Sequence, residues 1–298
     1  MAALAKSTNF PAELAKEMFS KVVGHSSLAK LSGQEPIPFT GEDVFVFNFS
    51  SDVSIVAENA EKPAGDATYT PVQIRPIKVV YQSRVSDEFV RASEEKQLDF
   101  LREFASGFEK KVGAALDKMA FHGINPATGS ASDIIGSNNF DSIITTSNTI
   151  GYLANSSTAD ANLEEAIAKV EDAEFPVTGI AISPIMRSAL AAMKNDGGRE
   201  YPDFAFGGAP SNLGGATLDI NATVSSNSSA DRAIVGDFEN AFRWGYSANI
   251  PLEVIEYGDP DGAGKDLKAY NQVLLRSEAY IGWGILNAAS FAKVAVVE

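Results

Sequence analysis

Apolar and polar side chains alternate most clearly in the stretch AYNQVLLRSEAYIGWGI, which predicts a strand with two different faces. Successive side chains of a strand point to opposite sides, so Val273, Leu275 and Ser277 share one face. The other face carries four residues of mixed polarity: Leu274, Arg276, Glu278 and Tyr280. Because an unpaired buried charge is costly, Arg276 and Glu278 are predicted to lie at water, to pair with each other, or to pair with groups from elsewhere.

A helical repeat of apolar residues predicts one long amphipathic helix in the segment SEEKQLDFLREFASGFEKKVGAALDKMAFHG. Its members, at spacings of three and four, are Leu98, Leu101, Ala105, Phe108, Val112, Ala115 and Met119. Glu94 and Glu95 occupy the first turn and Gly123 follows the last, as the helix dipole and a C-terminal cap prefer. A second side of the helix is predicted to be covered as well, and its apolar members are Phe100, Phe104 and Phe121.

The polar side of this helix carries three lysines, Lys110, Lys111 and Lys118. Glu109 and Asp117 are interleaved with them. This mixture of signs favours a solvated helix face over a basic patch.

Two further patterns lie before the long helix. Helical spacing behind a proline predicts a short helix within residues 11–31. Two alternating, β-branched and aromatic runs, 44–56 and 72–85, flank the turn-rich sequence AENAEKPAGDATYTP and predict a long hairpin with a polar tip. A hairpin of this length and with two such faces is not stable alone in water, so it requires a partner surface.

The remainder of the chain mixes helices and strands. NLEEAIAKVEDAE and PIMRSALAAMKND predict helices, VTGIAIS predicts a strand between them, and a Gly-rich connection follows. This order indicates an α/β or α+β lobe. PLEVIEYGDPDGAGKDLKAYNQVLLRSEAYIGWGIL predicts a second long hairpin that turns at GDPDGAG.

Composition and charge exclude several classes of functional site. The net charge of −15 argues against a surface that holds a nucleic-acid backbone, since such surfaces cluster Lys and Arg. The chain has no cysteine, which excludes disulfide scaffolds, cysteine nucleophiles and thiolate metal sites. Neither a signal segment nor a run of eighteen apolar residues occurs, so a soluble, non-exported protein is expected, and a surface adhesin is disfavoured.

Candidate catalytic and metal-binding residues are few. The two histidines, His25 and His122, each follow a helical segment, where a cap or a surface role is expected. The acidic loop DPDGAGKD lacks the fifth-position ligand and the closing glutamate of a calcium loop, where Tyr270 stands instead, so a plain turn is predicted. A hydrolase that uses Asp237 and Glu239 is an alternative, but two acids on one strand face are more often surface residues. No catalytic set, metal or small-molecule cofactor is implied.

Several motifs, in their order and spacing, resemble the major capsid proteins of tailed bacteriophages, which have the Hong Kong 97-type fold. They are VAENAEKPAGDATYTPVQIRPIKVVYQSRVSDEFV, the helix ending in DKMAFHGINPATG with Asp117, Gly123, Pro126 and Gly129, RAIVGDFENAFRWGYSANIPLEV, and NQVLLRSEAYIGWGILNAASFAKV with its Arg-x-Glu. The resemblance covers essentially the whole chain. It implies an α+β fold with an N-terminal arm, an extended β-hairpin loop, a peripheral domain with a long spine helix and β-strands, and an α/β axial domain.

The resemblance also implies a division of the chain. The arm with its short helix is expected at 1–40 and the extended loop at 41–85. The peripheral domain is expected at 86–150 and 252–290, and the axial domain at 151–251 and 291–298.

In this family the extended loop of one subunit lies over the peripheral strands of a neighbour. The resemblance therefore places Arg276 and Glu278 at a subunit boundary, paired across it. Some members bond a loop lysine covalently to an asparagine of a neighbour with help from a glutamate, and Lys62, Asn271 and Glu278 are the residues compatible with that pattern. Lys62 and Asn271 are thus interface candidates too.

The implied function is a major capsid protein that self-assembles through pentamers and hexamers into an icosahedral phage head enclosing double-stranded DNA. The alternative is an encapsulin, a nanocompartment shell of the same fold that holds a cargo enzyme. Neither is an enzyme. Expected partners are further copies of the chain, a separate scaffolding protein, which the initial methionine favours, a portal and, as an option, decoration proteins. DNA would be enclosed without sequence-specific binding and without a membrane, in a virion assembled in the host bacterial cytoplasm.

Overall fold

The computed structural model describes residues 8–9, 25–49, 53–65, 67–88, 94–152, 158–228, 230–246 and 251–296, which form a mixed α+β fold. The helices are α1 Ser27–Leu31, α2 Glu94–His122, α3 Phe140–Ile143, α4 Ala159–Asp172 and α5 Pro184–Ala192. The strands are β1 Thr8–Asn9, β2 Glu42–Phe49, β3 Ala67–Ile74, β4 Ile77–Ser86, β5 Thr149–Tyr152, β6 Gly179–Ile182, β7 Lys194–Asn195, β8 Gly198–Arg199, β9 Asn212–Leu213, β10 Ala216–Ile220, β11 Asp231–Gly236, β12 Phe242–Tyr246, β13 Pro251–Ile255, β14 Gln272–Ile285 and β15 Phe291–Val296.

Strand β14 is the centre of a five-stranded sheet. β4 lies antiparallel on one side of it, while β13 and β12 follow one another along the other side, and β1 extends the sheet beyond β13. The predicted alternation is confirmed from Leu275 to Ile281, where Leu275 and Ser277 are buried while Arg276 and Glu278 are partly exposed; Leu274, predicted on the polar face, is fully buried. The predicted β13–β14 hairpin is present as well, with Leu252 opposite Ser277.

The second large sheet has six strands, in the order β5-β15-β11-β6-β10-β9. The predicted helices at 159–172 and 184–192 and the predicted strand at 179–182 are all present. Helices α4 and α5 pack against this sheet, and Leu163, Val170, Met186 and Leu190 fill the core between them.

Helix α2 packs against the five-stranded sheet, as its apolar repeat predicts. Phe108, Val112, Leu116 and Met119 are buried in one core with Trp283 of β14. The helix ends where predicted, at Gly123, whose φ of 64° suits a left-handed C-terminal cap and whose N–H donates to Met119 O over 2.9 Å.

The predicted long hairpin is shorter than expected. β2 pairs with β3 from Glu42 opposite Ile74 to Phe49 opposite Ala67, but the chain then leaves the ladder at Arg75-Pro76 and β4 joins β14 instead. Two facts account for the break: Pro76 has no N–H to continue a ladder, and Ile74 is buried against the main body. The second arm, predicted over 72–85, therefore divides between two sheets, and residues 53–56 of the first arm are not in a strand.

The predicted helix within residues 11–31 falls mostly outside the described residues, which include only α1 from this stretch. Residues 33–37, which we call the strap, then run alongside β12: Gln34 forms a parallel bridge with Trp244, and Glu35 N–H donates to Trp244 O over 2.9 Å. Among the described residues, no helix combines the length and apolarity that crossing a bilayer would need.

Candidate functional site

The polar face of β14 pairs its charges within the chain. Lys78 Nζ of β4 lies 2.7 Å from Glu278 Oε1. Arg276 Nε donates to Gln82 Oε1 over 3.1 Å, and its Nη2 donates to Pro260 O over 3.2 Å. Of the three predicted possibilities, pairing with groups from elsewhere is thus the one observed in the single chain, and the further expectation of partners in a neighbouring subunit stays a prediction.

Arg84 of β4 holds the loop that joins β13 to β14 through hydrogen bonds from its guanidinium. Its guanidinium contacts the carboxylates of Asp259 and Asp261 and donates to Lys265 O over 2.9 Å. The bond to Arg84 depresses the pKa of Asp261 below its usual range. Asp259 also accepts from Gly264 N–H over 2.7 Å, so the acidic loop is the predicted turn, with its charges directed to an arginine.

The structure places Lys62 and Asn271 in exposed, irregular backbone. Lys62 lies in the segment 53–65 beyond the β2–β3 ladder. Asn271 has a left-handed φ of 51° and precedes β14, and its carbonyl accepts from Asp87 N–H over 2.9 Å. Seven residues of extended chain separate Asn271 from Glu278, about 23 Å, so one subunit does not bring both to the same bond.

An aromatic face is exposed on the β2–β3 hairpin. Phe45, Phe47 and Tyr69 are 57%, 64% and 65% exposed and lie on one side of the ladder, with Phe47 opposite Tyr69. The Tyr69 ring centroid is 6.2 Å from that of Phe45 and 6.3 Å from that of Phe47. We call these three residues the hairpin aromatic face. An exposed apolar surface of this kind is a candidate site of association.

Asp117 corrects the prediction of a solvated helix face. It is fully buried, and its carboxylate accepts hydrogen bonds from Ser26 Oγ at 2.5 Å, Ser27 N at 2.9 Å, Leu28 N at 3.2 Å and Thr223 Oγ1 at 2.6 Å. Burial raises the pKa of Asp117 to about 6 in spite of these bonds. Asp117 therefore anchors the start of α1 to α2, while Glu109, also predicted on the solvated face, is 4% exposed. The lysines fit the prediction better, since Lys110 and Lys111 are exposed and Lys118 is partly so.

His122 corrects a second prediction, because it has no surface role. Its side chain is 4% exposed. Nδ1 lies 2.8 Å from Asp141 Oδ2 of α3, and Nε2 lies 2.9 Å from Thr223 O. Lys293 Nζ of β15 lies 2.7 Å from Asp141 Oδ1 and 3.2 Å from Asp231 Oδ1 of β11. We call these four charged residues, His122, Asp141, Asp231 and Lys293, the buried charge cluster; its outer member is Asp141, whose side chain is 32% exposed.

The pKa shifts in the buried charge cluster follow from burial and pairing. Burial lowers the pKa of His122, but the Asp141 carboxylate and the Thr223 carbonyl outweigh it, so the net pKa is raised. Burial and the neighbouring Asp141 raise the pKa of Asp231 to about 6. Burial raises the pKa of Asp141, yet the hydrogen bond to His122 and the nearby Lys293 bring it below its usual range.

His122, Asp141 and Asp231 also bring possible metal-ligand atoms within 4.8 Å of one another. The Lys293 ammonium, however, already lies between the Asp141 and Asp231 carboxylates, where a metal ion would have to bind, and it pairs with both. The donor set therefore fits a lysine better than it fits a metal ion.

Sequence patterns did not indicate Asp141, Asp231 or Lys293, because each stands alone in its segment and only the tertiary fold brings them together.

Asp237 and Glu239 are not on one strand face as predicted. They lie in the turn after β11, where Asp237 is buried and accepts from the side chain and N–H of Asn240, while Glu239 is exposed. Because Asp237 is buried and Glu239 is exposed, the two carboxylates do not form the pair that the hydrolase alternative requires.

Comparison with known proteins supplies family evidence. The profile of the Phage capsid family matches residues 9–296. Among solved structures, a chain of Mycobacterium phage Ogopogo has 33% identity and a TM-score of 0.75, with 92% of this chain and 92% of that chain covered. A chain of Gordonia phage Cozz has 25% identity and a TM-score of 0.75, with coverage of 92% and 87%.

A likeness of fold alone extends to a chain described as the capsid of a native GTA particle. It has 16% identity and a TM-score of 0.64, over 91% of this chain and 90% of that chain. The sequence has no match among curated proteins.

Proposed function

Because this chain belongs to the phage capsid family and is a phage major capsid protein, we propose that its copies join as pentamers and hexamers into an icosahedral head around double-stranded DNA. The carrying observation is the family match over residues 9–296. The Hong Kong 97-type fold agrees with the same comparisons. They favour the phage head over the encapsulin alternative, and a structural family accords with a non-enzymatic role.

The hairpin aromatic face supports assembly on physical grounds. A two-stranded ladder with three exposed aromatic side chains gains little stability on its own and gains much from a second surface. Burying these side chains against another copy would remove them from water. The mixed polar face of β14, with Arg276 and Glu278, is the proposed counterpart at the subunit boundary.

The division into parts predicted from the sequence remains our proposal for the shell. The arm at 1–40 and the loop at 41–85 would link subunits, the parts at 86–150 and 252–290 would form the periphery, and those at 151–251 and 291–298 would lie near the capsomer axis. The acidic net charge of −15 suits a wall that encloses DNA without adhering to it. A separate scaffolding protein, a portal and, as an option, decoration proteins are the proposed partners, and the host bacterial cytoplasm is the proposed place of assembly.

Covalent cross-linking is a second, narrower proposal. Lys62 Nζ of one subunit would attack Asn271 Cγ of another, form an isopeptide bond and release ammonia, while the Glu278 carboxylate would accept and return the proton. The distance of about 23 Å between Asn271 and Glu278 along one extended chain means that the glutamate would come from a different subunit than the asparagine. Ladders of linked chains on a denaturing gel of mature particles would support this chemistry, with Lys62→Arg as the control that abolishes them. A single band from mature particles would contradict it.

The primary test is negative-stain electron microscopy of the full chain after size-exclusion chromatography. Closed shells or capsomers are the expected result. A stable monomer, unchanged when the neighbouring phage genes are co-expressed, would contradict the proposed assembly.

A further inference from the structure

Buried polar side chains form a continuous chain of hydrogen bonds from α1 to the six-stranded sheet. Its middle is Thr223, in the short 3₁₀ helix Ala222–Ser228. The Thr223 hydroxyl donates to Asp117 over 2.6 Å, and the Thr223 carbonyl faces His122 Nε2 at 2.9 Å. Asp117 and His122, the two titratable residues near the end of α2, therefore both hydrogen-bond to Thr223.

The protonation of His122 follows from its partners. A carbonyl oxygen can only accept a hydrogen bond, so Nε2 carries a proton toward Thr223 O. Nδ1 faces a carboxylate oxygen of Asp141, whose other oxygen bonds the Lys293 ammonium at 2.7 Å, so this carboxylate is ionised and Nδ1 also carries a proton. With both nitrogens protonated, His122 is an imidazolium buried inside the protein.

With both carboxylates ionised, the charges of the cluster balance in this state. The two cations His122 and Lys293 face the two carboxylates Asp141 and Asp231, and the His122 Nδ1 to Asp231 Oδ2 distance is 3.8 Å. Arg232, next to Asp231, donates to the Asp231 carbonyl, and on α2 itself the charged residues one turn before His122 are Asp117 and Lys118. A neutral His122 would leave the buried Asp231 carboxylate and the partly exposed Asp141 carboxylate with the Lys293 ammonium between them, and would direct a nitrogen lone pair at an acceptor oxygen.

We propose that the buried charge cluster, together with Thr223, is a protonation-controlled joint that fastens the end of α2 to the six-stranded sheet. The joint stabilises the folded subunit while His122 is an imidazolium, and it contributes less stability once His122 has lost a proton. Five elements meet in it: the end of α2, the start of α3, the 3₁₀ helix Ala222–Ser228, β11 and β15. Every residue of the joint belongs to one subunit, so the response is a property of the subunit and does not require a neighbour.

The sign of the pH dependence follows from the raised pKa of His122. The stability that the joint contributes is fully present below the ordinary histidine pKa of about 6.5 and is lost as the pH rises through the higher value of the folded state. Asp231 and Asp117 act in the same direction at lower pH. With pKa values raised to about 6, both aspartates penalise the folded state increasingly as the pH rises from about 4 toward 6.

The test is a histidine NMR titration of the full chain, labelled in the imidazole rings. Only two histidines are present, and the variant His25→Gln assigns both signals. The expected result is a His122 ring that keeps the chemical shifts of an imidazolium at pH 7 and titrates above about 6.5. A His122 signal that is neutral at pH 6.5 would overturn the proposal.

Chemical unfolding across pH 6 to 9 provides the second measurement. In the wild-type chain the unfolding equilibrium constant should rise with pH, by up to tenfold per pH unit between about 6.5 and the pKa of folded His122. His122→Gln keeps an amide donor but cannot be charged, so its unfolding constant should be larger than wild type at pH 6 and should lose this dependence. His25→Gln removes the exposed histidine and should keep the wild-type slope. A His122→Gln slope equal to wild type would contradict the joint, and if that variant does not fold, the NMR titration decides alone.

Discussion

At the scale of single residues, Asp117 is the carboxylate on which the start of α1 depends. Four donors converge on it, and two of them are the N–H groups of Ser27 and Leu28 in the first turn of α1. A helix of five residues has little stability of its own, so a carboxylate from another helix replaces the missing backbone acceptors.

Asp117→Asn is expected to lower the free energy of unfolding by about 2–3 kcal/mol, because the amide turns an NH₂ group toward donors and leaves part of them unsatisfied. Urea unfolding at neutral pH measures this loss. Asp133→Asn, at an exposed aspartate in the loop after α2, is the matched control and should change the free energy by less than about 0.5 kcal/mol. Equal stabilities of the two variants would show that Asp117 is not an anchor.

Gly245 is the residue on which the strap at 33–37 depends. A Cβ at this position would lie 1.6 Å from Glu35 O, which is backbone and cannot move without displacing the strap. Gly245→Ala should therefore cost at least about 2 kcal/mol of unfolding free energy, as forced overpacking does.

Gly215→Ala is the control for the Gly245 variant, since a Cβ there meets nothing within 4 Å. Thermal unfolding of the two alanine variants side by side measures the difference. If Gly245→Ala unfolds at the same temperature as Gly215→Ala, the close approach of the strap does not contribute to stability.

Some of these residues carried a sequence signal and others did not. Asp117 is flanked at three and four residues on both sides by Gly113, Ala114, Ala120 and Phe121, and a charge within such an apolar neighbourhood indicates burial. The lysines nearby obscured that signal. His122 had no comparable signal, because its partners come from segments 19 to 171 residues away along the chain, beyond the reach of local periodicity.

At the scale of elements, β14 and α2 were predictable because each has a clear period over part of its length: residues 275–281 of β14 alternate between buried and partly exposed, and apolar residues of α2 recur at spacings of three and four. The β2–β3 hairpin was predicted too long because its second run alternates with a period of two on both sides of Pro76, although the apolar positions shift by one residue there, from Val72 and Ile74 to Ile77 and Val79. Both β3 and β4 show strand periodicity, and only their partners, β2 and β14, distinguish them.

The loop between β13 and β14 provides a prediction at this scale. Arg84→Lys keeps the charge but loses the planar set of donors that contacts Asp259, Asp261 and Lys265 O together. Hydrogen exchange of the Ala263 and Gly264 amides, which donate to Asp259, should become several-fold faster than in the wild type. Lys78→Arg, on the same strand, is the control and should leave these amides unchanged. Unaltered exchange in Arg84→Lys would mean that the loop holds its shape without the guanidinium.

At the scale of the whole molecule, the hairpin aromatic face should govern assembly and not folding. The double variant Phe45→Ser/Phe47→Ser removes two exposed rings, so the circular dichroism spectrum and the unfolding midpoint of the single chain should stay close to wild type. Shell yield measured by size-exclusion chromatography and electron microscopy should fall at least tenfold, because apolar contact area between copies is lost.

Ile134→Ser tests whether any exposed apolar residue would have the same effect, since Ile134 is 80% exposed in a loop far along the chain from the hairpin. This variant should assemble like wild type. Normal shells from the Phe45/Phe47 variant would exclude the hairpin aromatic face as a contact surface.

The two sheets have a consequence for synthesis on the ribosome. β14 is made after each of its partners β4, β12 and β13, and β15 is made after both of its neighbours β5 and β11. Pairings of such long sequence separation close slowly, and neither sheet can be completed until residues 272–296 have left the exit tunnel. A nascent chain therefore carries a complete hairpin aromatic face and unpaired strand edges before its own sheets are finished, so half-made subunits on one polysome are open to premature association until residues 272–296 have folded.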